Sequence, residues 1–104
     1  MQSSVGGEHN SIARRAIEEV LISLGPSIEK TIMWHMNNRG VFANPQSLDI
    51  LTIYTNLQEL MGPYAEEIVE MTWERLESKY GAFSQKPSSK PIEKIKEWLT
   101  EEEK

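Results

Sequence analysis

The chain has 104 residues, 38% hydrophobic and 26% charged, with a formal charge of −5 at pH 7 and no cysteine. That length fits one domain with a single modest core, and the composition suits a folded chain over a disordered one. No apolar run approaches the roughly 18–20 residues that span a bilayer, the missing thiols exclude disulfides and thiolate zinc sites, and the acidic excess disfavours phosphate backbones. The opening "MQSSVGGEHN" has neither the basic n-region nor the apolar h-region of a secretory signal, so the expected compartment is the cytoplasm. Residues 82–104 hold five lysines and five glutamates, which places the whole negative excess in residues 1–81. Arg14–Arg15 is the single adjacent basic pair, too little to draw in a nucleic acid.

Gly6 and Gly7 among small polar neighbours mark residues 1–9 as a flexible leader. From Ser11, with Asn10 or Ser11 as cap, Ala13, Ala16, Ile17, Val20 and Leu24 recur at helical spacing. Gly25 is expected in the left-handed conformation that ends this helix, and Pro26 starts a second one running to about Asn38, before Gly40. Asn44–Pro45 repeats the start signal, an N-cap side chain followed by proline. The third helix carries the cleanest stripe, Ile50, Ile53, Tyr54, Leu57, Leu60 and Met61. After Gly62–Pro63 a fourth helix presents Ala65, Ile68, Val69, Thr72, Trp73 and Leu76 on one side, and Gly81 closes it. The run "SQKPSSKP" reads as a solvated linker. Pro91 opens a last amphipathic helix with Ile92, Ile95, Trp98 and Leu99 on one face, and Glu101–Glu103 at its negative pole favours fraying. The expected division is therefore a leader at 1–9, a helical bundle at 10–83, a linker at 84–90 and a C-terminal helix at 91–104.

An internal repeat organises the bundle. The Gly25–Pro26 and Gly62–Pro63 corners lie 37 residues apart, and the same shift carries Ala13 onto Ile50, Ala16 onto Ile53, Ile17 onto Tyr54, Val20 onto Leu57 and Leu24 onto Met61. It also sets His35 on Thr72. Similar units bury similar faces, so the predicted fold is all-α, a compact four-helix arrangement of two related hairpins plus the short C-terminal helix. The stretches "SLGPSIEKTIMWHM" and "LMGPYAEEIVEMTWERL" each set a glycine-terminated helix before an amphipathic one. In this the chain resembles, over about residues 11–83, the small all-helical archaeal domains grouped as Nitrososphaera output domains. The resemblance implies a helical bundle of a kind often attached to sensory or regulatory modules, and it carries over no catalytic residue. Residues 84–104 lie beyond it.

Few residues point to chemistry. His35 lies about 60° from the centre of the Ile28–Ile32–Met36 arc, by the 100°-per-residue rule, which suits a boundary histidine bonded to a neighbouring group. A metal would need several converging ligands, and Ile32 stands where a Glu-x-x-His pair needs its glutamate. There is no Gly-x-Ser-x-Gly elbow and no glycine-rich phosphate loop. Neither an enzyme nor a bound cofactor is expected. Two surface features stand out instead. Glu66, Glu67, Glu70, Glu74 and Glu77 fall within an arc of about 100° on the fourth helix, opposite its apolar stripe, which suits a basic partner. Trp34 points roughly 160° away from its own helix's apolar arc, and an indole there either packs under another element or awaits a partner. The C-terminal helix, through Trp98, poses the same choice, because so short a helix is marginal alone. The expected partner-binding residues are Trp34, Glu66, Glu70, Glu74, Glu77 and Trp98. The expected activity is protein interaction or self-association as a homodimer, without nucleic acid or membrane. The alternative is a small-ligand or metal-binding bundle using His35 and nearby glutamates.

Overall fold

The computed structural model describes residues 5–41, 49–84 and 89–101. Within them the chain is all-helical: α1 (Val5–Ser23), α2 (Pro26–Asn38), α3 (Ile50–Met61), α4 (Tyr64–Tyr80) and α5 (Pro91–Glu101). No helix among the described residues is long and apolar enough to cross a membrane. The Cα radius of gyration is 13.3 Å, close to the roughly 13 Å of a 100-residue single domain.

The apolar stripes face inward almost as their spacing predicts. Ala13, Ala16, Ile17 and Val20 on α1, Ile50, Ile53 and Leu57 on α3, and Ile68, Val69, Trp73 and Leu76 on α4 are buried. Helix α1 packs against α2, α4 and α5, and this wide set of neighbours also buries Leu21, which the stripe did not include. Among the described helices, α2 packs only against α1 and α3. Two neighbours cover a narrow arc, so Ile32 and Met36 are buried while Ile28, expected beside them, stays exposed. Helix α5 packs against α1, α3 and α4, burying Ile92, Ile95, Trp98 and Leu99.

Three boundaries differ from the sequence reading. Helix α1 begins at Val5, not Ser11, within the stretch expected as a leader. His9 accounts for the extra turns: its ring stacks on Trp98 with centroids 3.9 Å apart and planes 11° from parallel. Its Nδ1 lies 2.9 Å from the Trp98 carbonyl oxygen. A tertiary partner thus holds turns that periodicity alone could not identify. Helix α3 begins at Ile50 behind Asp49, whose carboxylate accepts from the backbone N–H groups of Leu51 and Thr52 at 3.1 and 3.3 Å. The Asn44–Pro45 signal lies outside the described residues. Finally, Gly25 does not take the left-handed helical conformation; its φ of 105° and ψ of 152° are extended with positive φ. It stands as N-cap to α2, with Pro26 at N1.

Candidate functional site

Trp34 sits on the outer face of α2, among residues that α1 and α3 do not reach. It is 70% exposed. Two of its polar neighbours are turned back to their own helix: Thr31 Oγ1 donates to the Ser27 carbonyl at 2.9 Å and Asn38 Nδ2 to the Trp34 carbonyl at 2.9 Å. Those groups keep their bonds when the face is covered, which lowers the cost of burying it. Trp98, by contrast, is 6% exposed and lies under the His9 ring. In the closed chain it is a core residue.

The acidic face of α4 is where the spacing puts it. Glu66, Glu67, Glu70, Glu74 and Glu77 are all exposed, and among the described residues no lysine or arginine pairs with any of them. Glu66 alone has a side-chain partner, the Tyr54 hydroxyl of α3, which donates to Oε2. Trp34 does not join this face, since α2 and α4 make no contact among the described residues. The two expected surface features therefore stand on helices that do not touch among the described residues.

His35 is half-buried on α2. Its Nε2 is buried with no hydrogen-bond partner, in place of the bond expected for a boundary histidine. Among the described residues no group of three or more His, Asp or Glu side chains could hold a metal ion.

A cluster that spacing did not single out joins α1 to α4. Glu19 of α1 accepts from Lys79 Nζ at 2.8 Å, the Tyr80 hydroxyl at 3.1 Å and an Arg75 guanidinium nitrogen at 3.4 Å. The Lys79 hydrogen bond, helped by Tyr80 and Arg75, holds the Glu19 carboxyl below the usual glutamate value, and Glu19 in turn raises Lys79 above the usual lysine value. An open groove of about 310 Å³ runs beside the cluster, lined by Val20, Met71, Glu74, Arg75, Ser78 and Lys79. The only trace of this in the sequence is the Arg75–Lys79 i,i+4 pair on the side of α4 away from its glutamates. Its partner on α1 is 56 residues or more distant and can be known only from the packing.

Asp49 is likewise held below the usual aspartate value, chiefly by the Thr52 hydroxyl at 2.8 Å and then by the capped backbone N–H groups. In all three groups the surroundings favour the charged form. General acid–base work instead requires a group poised to change protonation near the working pH. These contacts clasp and cap helices. No protein-family model, curated protein or solved structure matches this chain.

Proposed function

We propose that the chain is a non-enzymatic, cytoplasmic protein-interaction or regulatory accessory module, acting through surface complementarity. The observation that carries this reading is Trp34, an indole 70% exposed on a face where the neighbouring Thr31 and Asn38 side chains are already bonded to their own backbone. Large aromatics that fill a partner's pocket dominate binding energy in protein interfaces. The glutamates of α4 form a second surface, suited to steering a basic partner. The scaffold, on this reading, is a four-helix arrangement of two related hairpins. The contacts α1–α2, α3–α4, α1–α4 and α2–α3 support it, and the regulatory role follows the resemblance to the archaeal output domains.

The test uses the purified chain with Trp34→Ala and with Glu70→Lys plus Glu74→Lys. A partner recovered by pull-down with the original chain is expected to be lost with one or both variants. If the partner is self, light scattering at hundreds of micromolar detects a dimer that Trp34→Ala removes. Unchanged recovery and unchanged mass with both variants overturn the reading. The ligand-binding alternative rests on the buried, unpartnered Nε2 of His35; it predicts NMR shift changes confined to His35 and its neighbours on adding divalent metal ions.

A further inference from the structure

Helices α1 and α3 do not touch each other among the described residues, yet both touch α5, and α4 touches all three. Helix α5 therefore lies in a trough whose floor is α4 and whose walls are α1 and α3. The other four helices contact one another in a closed cycle, α1–α2–α3–α4–α1, that does not pass through α5. The trough is thus framed without its occupant. Its chemistry is read from what it holds: Ile92, Ile95, Trp98 and Leu99, all buried, with Ile95 losing its entire accessible surface.

Helix α5 depends on the trough for its stability. Helix α5 has 11 residues, below the roughly 12–15 needed for an isolated helix to be stable. Its closing polar contact comes from the wall: His9 on α1 donates Nδ1–H to the Trp98 carbonyl. That carbonyl is one of the last four of α5, which lack a partner within the helix. Any helix of this sequence entering the trough meets the same cap and the same stacked ring.

We propose that the trough formed by α1, α3 and α4 is a receptor for an amphipathic helix, and that α5 of a second copy of this chain can occupy it in place of the resident one. An empty trough would leave a long apolar face in water, so exchange of helices between copies is favoured over simple opening, and it reproduces the contacts of α5 with α1, α3 and α4. The tether favours the resident helix, with an effective concentration in the millimolar range for a short connection. Neither Trp34 nor the α4 glutamates take part, so the inference goes beyond the surface reading above and stands apart from it.

Ile95→Asp in the full chain disables the resident helix and leaves the trough residues untouched. A synthetic peptide of residues 89–101 in roughly hundredfold excess over its dissociation constant is expected to raise the variant's melting midpoint by about 10–20 °C. The same peptide carrying Ile95→Asp is expected to have no effect. Adding His9→Ala to the variant should weaken peptide binding by about tenfold, the loss of one hydrogen bond and one ring stack. In parallel, the original chain held at about 1 mM should show a dimer by light scattering that Ile95→Asp lacks. Failure of the peptide to raise the midpoint of a folded variant, or to restore helical signal and a cooperative melt to an unfolded one, overturns the proposal. So does a dimer that survives Ile95→Asp and disappears with Trp34→Ala, which would assign self-association to α2.

Discussion

Asp49 is the only aspartate in the chain, and its carboxylate takes two backbone N–H bonds and the Thr52 hydroxyl at the start of α3. Replacing it with alanine should cost about 1 kcal/mol, as loss of an N-cap side chain does, while asparagine should retain most of that. Because the folded state holds this carboxyl below its usual value, its contribution is complete above the ordinary aspartate range, about pH 4. It is lost as pH falls through the lowered folded value. Urea titrations at neutral pH and near pH 3 should show the gap between the original chain and Asp49→Ala closing in acid. Asn56 presents the opposite case. It is buried, its Nδ2 donates to the Thr52 carbonyl at 2.8 Å, and its Oδ1 has no partner. Removing a buried unsatisfied acceptor together with its donor can be neutral or stabilising. Asn56→Leu is therefore expected to match or exceed the original stability, by up to about 1 kcal/mol, in the same titration. Neither residue was legible as such. The Asn44–Pro45 pattern drew the helix start upstream, and Asn56 lies beside the α3 stripe in a position that becomes interior only because α2, α4 and α5 all press on that helix.

The two Gly–Pro corners look alike in sequence and fold differently. Gly25 caps α2 with φ 105° and ψ 152°, whereas Gly62 ends α3 with φ 60° and ψ −136°, and Pro63 (φ −63°, ψ −17°) stands before α4. Both glycine conformations have positive φ with extended ψ, a region that side chains rarely enter. A Cβ at either position would meet open space, so the cost of Gly25→Ala or Gly62→Ala is backbone strain alone, about 1–3 kcal/mol. Denaturant midpoints should fall with unchanged m-values. Asparagine should rescue neither, because its tolerance is for the left-handed helical region. The repeat thus identified where the chain turns. It could not show that each turn has its own geometry, since that depends on how the following helix docks.

At the scale of the molecule, the two tryptophans flagged for partners part company. Trp98 lies under His9 and is buried, so Trp98→Ala should cost about 3–5 kcal/mol, a large share of the roughly 5–15 kcal/mol that holds a small domain together. Trp34 is solvent-facing, and Trp34→Ala should change stability by less than about 0.5 kcal/mol. Paired thermal melts of the two variants separate a structural indole from one available for contact. The Glu19–Arg75–Lys79–Tyr80 cluster belongs to this scale too: it clasps α1 to α4 through residues from distant parts of the chain.

Local pattern alone determined the helical class, the order of the five helices, the inward stripes of α3, α4 and α5 and the outward glutamates of α4. Each follows from a periodicity of 3.6 residues and from glycine or proline at the ends, which act within a few residues of themselves. The tertiary structure decided the rest: that α1 extends back to Val5 against Trp98, that Ile28 stays outside while Leu21 and Asn56 go inside, that α5 fills the space between α1 and α3, and that Glu19 meets Arg75 and Lys79. Those outcomes depend on how many neighbours each helix acquires, and the width of a buried face is set by those neighbours, not by the helix that carries it.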